Sequence, residues 1–174
     1  MERITSSKNP LIAHIRRLQT DRGYREAQGE FVCDGWKLLK EALEWYPALC
    51  TVVLTEGADC PPLPETCRVV CVPAGLMQSL SSMRSPQGVV FTCALPEAAP
   101  PVLRPGMLLL DRIQDPGNLG TILRTADAFT IPVVMTNSCA DAFSEKTVRA
   151  SMGAVLRTPP VSLPLEQVLA QCAE

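Results

Sequence analysis

Within residues 111–129, DRIQDPGNLGTILRTADAF, the side chains able to do chemistry fall at short intervals: Asp111, Asp115, Asn118, Arg124 and Asp127. Pro116-Gly117 supplies a turn, and Gly120 permits close packing in the first helical turn that follows. Backbone amides at such a helix start attract anions, the phosphates of RNA or of a nucleotide among them. Neither a GxGxxG dinucleotide fingerprint nor a GxxxxGK[ST] phosphate loop occurs, so the stretch reads either as a structural turn or as an anion-facing edge. Asn118 can cap the helix or present its amide to a ligand. Arg124 follows the core-facing Leu123, where its planar fork can reach a phosphate or a carboxylate; a surface ion pair, with Asp127 as partner or merely solvated, is the plainer alternative. Asp111 can hold a loop amide or take part in chemistry.

A second stretch, NSCADAFSEKTVRASMGAVLRTP at 137–159, places Lys146 and Arg149 three apart on one helical side, with Asp141 and Ser144 at the preceding turn. Ser151-Met152-Gly153-Ala154 is a close-packing combination. His14, the sole histidine, lies among basic residues in the first helix and does not suggest a hydrolase triad. Eight cysteines occur without a CxxC pair, and the loose group Cys60, Cys67 and Cys71 has no histidine beside it. Free thiols are expected, and no metal site.

These residues need elements to position them. Asn9-Pro10 opens a helix carrying Leu11, Ile15 and Leu18 at helical spacing, and residues 20–29 read as loop. A short strand at 30–33 precedes a helix at 36–45 with Leu38, Leu39, Ala42 and Leu43 as its apolar stripe. Strands at 51–55 and 68–72, a helix at 74–83 and a strand at 87–95 complete a small α/β domain. Residues 96–106, with Pro96, Pro100, Pro101 and Pro105, form a linker. A buried-type strand at 107–110, a turn at 111–118 and a helix at 119–129 begin a second unit. In that helix Leu119, Ile122, Leu123, Ala126 and Phe129 share a face. A strand at 131–135, a helix capped by Ser144 and running through Val155, a strand at 161–163 and a helix opened by Pro164 give the start of a parallel sheet.

The 174 residues, 47% of them apolar, suffice for one ordinary domain or two small ones. No run is long enough to cross a membrane and the N-terminus lacks a signal peptide's apolar core, so the expected location is cytoplasmic. Formal charge is −2 overall, yet residues 1–40 carry eight Lys or Arg against five acids. A weakly basic N-terminal region can face a polyanion, or it can be an ordinary salt-laced surface.

Taken together, DPGNLGTILRTADAF and ADAFSEKTVRASMGA resemble the SpoU (TrmH) family of RNA ribose 2'-O-methyltransferases, of the SPOUT class with a knotted α/β catalytic domain. ITSSKNPLIAHIRRL, GEFVCDGWKLLKEAL and SPQGVVFTCAL are similar to the substrate-binding domain of its two-domain members. The resemblance implies a small L30e-like α/β domain at 1–95 that binds structured RNA, a linker at 96–106, and the first part of a parallel-sheet methyltransferase domain at 107–174. It also implies S-adenosylmethionine as methyl donor, rRNA or tRNA as substrate, and a homodimer at full length, with neither membrane nor metal. Asn118 matches the family's motif-one asparagine, and Arg124 the arginine that helps activate the ribose hydroxyl or steadies the adjacent phosphate. Because guanidinium groups stay protonated in proteins, phosphate orientation and oxyanion stabilisation are the simpler roles. Lys8, Arg16, Arg17, Lys146 and Arg149 are the candidate RNA contacts. The family's second and third motifs do not appear. The expectation is therefore an incomplete domain whose donor-binding residues fall in an absent C-terminal segment, leaving this chain inactive alone. The alternative is a non-catalytic RNA-binding or regulatory fragment.

Overall fold

A computed structural model describes residues 2–97 and 102–172. Of the expected linker, residues 98–101 with Pro100 and Pro101 lie outside the described residues. The chain divides into two compact units, 1–95 and 96–174.

The first unit is built on a five-stranded mixed sheet, in the order β1-β4-β3-β5-β2. Its strands are β1 (Glu2–Arg3), β2 (Glu30–Asp34), β3 (Leu49–Thr55), β4 (Arg68–Val72) and β5 (Val89–Ala94). β1, β4 and β3 run parallel, while β5 is antiparallel to both β3 and β2. Helix α1 (Pro10–Thr20) is capped by the Asn9 side chain, which accepts from the Leu11 amide at 2.9 Å, with Pro10 in the first turn. Leu11, Ile12, Ile15 and Leu18 of α1 join Leu76, Met77 and Leu80 of α4 (Ala74–Leu80) over Val32, Val53, Val70 and Val90 of the sheet. Because side chains alternate along a strand, Phe31, Val52 and Phe91 point to the other face. There α3 (Trp36–Trp45) contributes Leu38, Leu39 and Ala42, and the Tyr46 ring meets Phe31 edge-on at 5.9 Å.

Two expectations fail in this unit. Residues 20–29 are not a loop: α2 (Arg22–Gln28) is capped by Asp21, whose carboxylate accepts from the Tyr24 amide. Apolar periodicity missed it because its one buried residue is Arg25, whose guanidinium donates to the Leu18 carbonyl. Leu43 also departs from the expected stripe, lying at its exposed edge.

The second unit has three parallel strands in the order β6-β7-β8: β6 (Leu108–Leu110), β7 (Val133–Thr136) and β8 (Val161–Leu163). Helix α5 (Pro116–Ala128) connects the first two; α6 (Glu145–Ala150) and α7 (Ala154–Arg157) connect the next two, giving successive strand–helix–strand crossovers. Val168 of α8 (Leu165–Cys172) packs on Val134 and Leu163.

Three details differ from the sequence reading. Helix α5 starts at Pro116 rather than 119. Phe129 leaves the apolar face: it follows the helix end and is 73% exposed, while Leu119, Gly120, Leu123 and Ala126 are buried. The helix expected from Ser144 through Val155 is broken at Met152 and Gly153, both with positive φ, before α7 resumes. Within the described residues no helix is long and apolar enough to cross a membrane.

Candidate functional site

The chemistry-bearing residues of the second unit collect where β6 and β7 end and α5 begins. In open parallel sheets this C-terminal strand edge is where ligands bind, because loops and helix starts converge there. Asp111, just past β6, accepts from Thr136 Oγ1 at 2.7 Å and from Ser138 Oγ at 3.1 Å, tying together the ends of two neighbouring strands. Its other oxygen takes Arg112 Nε at 2.8 Å. The Thr136 hydroxyl, then the Arg112 guanidinium, hold the Asp111 carboxyl below its ordinary range. The Ala140 amide reaches the Ile113 carbonyl at 2.7 Å, and Gln114 Nε2 donates to the Ser138 carbonyl. The loop before α5 is thus fastened at several points.

Asp115, not Asn118, caps α5. Its Oδ1 accepts from the Asn118 amide at 2.7 Å, and that bond chiefly lowers the Asp115 pKa, with the Lys146 ammonium at 3.3 Å adding to it. Placing Asp immediately before a first-turn Pro repeats the Asn9-Pro10 arrangement, so the signal was present in the sequence. What hid it was Asn118 itself, another good capping residue three positions further on. With the cap assigned to Asp115, Asn118 lies in the first turn. Its side chain is exposed and makes no hydrogen bond among the described residues.

Gly120 sets how closely α5 lies against α6. A Cβ there would stand 2.6 Å from Ala150 Cβ, 2.7 Å from the Thr147 carbonyl oxygen and 2.9 Å from the Ser151 amide. Ser151 is fully buried with its hydroxyl returned to the Val148 carbonyl, so the small residues of this stretch do pack closely.

Arg124 is exposed and forms no ion pair or hydrogen bond among the described residues. Asp127 is not its partner: Asp127 Oδ2 takes both Arg157 Nε and Nη2, at 2.9 and 2.7 Å, and Oδ1 takes the Thr158 hydroxyl. Nothing in the periodicity foretold this bidentate pair, which links α5 to α7. The hydroxyls of Thr121 and Thr125 bond back to carbonyls four residues earlier. Asn118 and Arg124, about 9 Å apart along the axis, remain the uncommitted polar side chains of this helix surface.

Of the expected RNA contacts, Lys146 sits at this edge through its pair with Asp115, and Arg149 is exposed one turn further along α6. Lys8, Arg16 and Arg17 belong to the first unit. Lys8 is exposed; Arg16 donates to Ser79 Oγ at 2.8 Å, joining α1 to α4; Arg17 lies 4.2 Å from the Tyr24 ring centroid and pairs with Asp21. His14 bonds Tyr24 through Nδ1 and approaches Glu30 through Nε2, a structural arrangement between α1, α2 and β2. All eight cysteines are free thiols. Among the described residues of 102–172, no buried side-chain nitrogen or oxygen is left without a partner.

Comparison with known proteins assigns both units. Residues 105–174 match the SpoU rRNA Methylase family, and residues 9–90 match the MRM3-like substrate binding domain. The uncharacterized tRNA/rRNA methyltransferase slr1673 of Synechocystis is 35% identical over 172 residues, covering 92% of this chain and 62% of that protein. The 23S rRNA (guanosine(2553)-2'-O)-methyltransferase RlmP of Bacillus subtilis is 32% identical over 164 residues, covering 92% of this chain and 65% of its own length. The chain thus spans less than two thirds of these relatives. The AdoMet-bound rRNA methyltransferase of Sinorhizobium meliloti superposes with a TM-score of 0.83 at 28% identity, covering 99% of this chain and 68% of that one. The architecture is an α/β SPOUT-type methyltransferase fold with mixed sheet topology. Over both units, and over part of their length, the chain is thus homologous to SpoU/TrmH-family, SPOUT-class RNA methyltransferases.

Proposed function

We propose that this chain serves the transfer of a methyl group from S-adenosylmethionine to a ribose 2'-hydroxyl of ribosomal or transfer RNA. The observation that carries the reading is the commitment of charge around α5. Asp111, Asp115, Lys146, Asp127 and Arg157 are all engaged with one another or with neighbouring groups, whereas the exposed side chains of Asn118 and Arg124 make no hydrogen bond or ion pair among the described residues. Polar side chains not already engaged within the fold can offer their donors to a substrate.

The donor, when bound, supplies an electrophilic methyl group. Arg124 offers up to five N–H donors in a planar fork, suited to gripping the phosphate beside the reacting ribose and to stabilising negative charge as it develops on the 2'-oxygen. Asn118, at the start of the helix, orients the sugar edge. Lys146 and Arg149 add positive potential for the flanking backbone. The first unit acts as an L30e-like RNA-binding domain, joined through the 96–106 segment to a catalytic domain that is knotted and dimeric in the whole protein.

A second reading, RNA binding without methyl transfer by these residues alone, is favoured by one observation: residues 9–90 match a substrate binding domain in their own right. One experiment separates the two. S-adenosylmethionine is titrated calorimetrically into the 174-residue chain, alongside a labelled-methyl transfer assay on ribosomal RNA. Saturable donor binding with label fixed on a 2'-oxygen establishes the enzyme. RNA retention with no donor heat establishes the binding module, and the absence of both removes the proposed function from this chain.

A further inference from the structure

A cleft of the first unit lies far in sequence from α5, where β3 ends, α3 and α4 begin and the chain enters β5. It encloses about 770 Å³ and is lined by Trp36, Thr55, Asp59, Met77, Gln78 and Gln87, among others. That volume falls in the range of small-molecule sites. Its chemistry selects among ligands. No lysine or arginine lines it, and its ionisable residues are Glu56 and Asp59, so a phosphate is disfavoured. Glu56 is already paired with Arg3 at 2.6 Å, whereas Asp59 and Gln78 have no hydrogen bond or ion pair among the described residues.

Trp36 is locked at two points. Its indole Nε1 donates to the Gln87 carbonyl at 2.7 Å, and its amide donates to Gln87 Oε1 at 3.0 Å. Gly35, with φ of +106°, is required for this fit, since a Cβ would stand 2.8 Å from Gln87 Oε1. With its N–H committed, the indole offers a ligand its ring faces. A fixed aromatic wall beside a free carboxylate and a free carboxamide suits a planar heterocycle whose edge carries hydrogen-bond donors.

We propose that this cleft takes an unpaired guanine base of the RNA, stacked on Trp36 with Asp59 accepting from its N1 and N2 hydrogens. Among the bases, guanine carries two adjacent donors on its Watson–Crick edge and so meets a carboxylate with two parallel bonds. Adenine and cytosine set an acceptor beside their amino group, and uracil has a single N–H between two carbonyls. The assignment rests on the RNA reading above and adds to it base recognition by the first unit, through residues other than those assigned to methyl transfer.

The test uses the full chain with Trp45→Phe, which leaves Trp36 as its one tryptophan; Trp45 is 55% exposed and does not line the cleft. Trp36 fluorescence is followed as five-residue RNAs AAGAA, AAIAA (inosine at the centre), AAAAA and an abasic-centred analogue are added. Saturable quenching by AAGAA is expected, about tenfold weaker for AAIAA and for the Asp59→Asn chain. Equal quenching by AAAAA or the abasic analogue, or no change with Asp59→Asn, overturns the proposal. Quenching by AAGAA in a chain that neither retains ribosomal RNA nor transfers methyl groups leaves the guanine site standing and rejects the functional reading. RNA retention without guanine-dependent quenching does the reverse.

Discussion

Helices α1 and α5 open in the same way, with an Asn or Asp cap followed by Pro, yet they use their arginines differently. On α1, Arg16 is bonded to Ser79 and Arg17 to Asp21 and the Tyr24 ring, so both spend their cationic groups holding the first unit together. On α5, the neighbouring charges are satisfied among themselves and Arg124 is left out. Charge count alone left the N-terminal region either as a polyanion face or as an ordinary salt-laced surface. In the described residues Arg16 and Arg17 have donors engaged within the first unit, whereas the donors of Arg124 are unengaged.

The sharpest test of that contrast is to truncate one arginine from each helix. Arg124→Ala is expected to lower methyl transfer about 10²- to 10³-fold, the scale for losing a group that stabilises developing charge, with the denaturant midpoint unchanged. Arg16→Ala is expected to change turnover less than about threefold, since it mainly releases Ser79. Comparable losses from the two would erase the distinction. A smaller effect, seen in stability, is expected at Gly120. Gly120→Val drives a side chain into Ala150 and the backbone of Thr147 and Ser151, costing about 3 kcal/mol, read as a lower urea midpoint. An unchanged midpoint would mean that α5 and α6 can slide apart freely.

The smallest effect concerns acid. Asp111 and Asp115 both have carboxyl pKa values lowered in the folded chain, by hydroxyl, amide and cationic partners. Their contribution is therefore present above the ordinary carboxylate pKa, roughly 4, and is lost as pH falls through their depressed folded values. Asp115→Asn, which still accepts from the Asn118 amide but carries no charge to titrate, is expected to melt with a shallower acid dependence below about pH 4. Identical acid curves for the two chains would remove Asp115 from that account.

Much of this was legible in the residues. Short β-branched, apolar runs such as Thr51 to Leu54 and three-four spacing in Leu11, Ile15 and Leu18 located most strands and helices, because burial on both sheet faces or on one helix face dictates those patterns. DPGNLGTILRTADAF carried the family through its types and spacing. What escaped was set by partners distant in sequence. Helix α2 is anchored by a buried arginine rather than an apolar stripe, and the break at Met152-Gly153 interrupts an otherwise helical pattern. The Asp127–Arg157 pair spans thirty residues, and the Trp36 cleft needs Gln87, fifty-one residues away. Asp115's capping role was legible and was masked by Asn118.

The fastening of the loop before α5 has a kinetic meaning. Asp111 holding Thr136 and Ser138, with Ile113 and Gln114 bonded to the facing loop, removes the conformational freedom of residues 111–115 during folding itself. Ordering such a segment at the moment of encounter would cost about 1–2 kcal/mol per residue. A ligand arriving at this edge meets a surface already in its final arrangement. Its association is then governed by diffusion and electrostatic steering rather than by the closing of a loop.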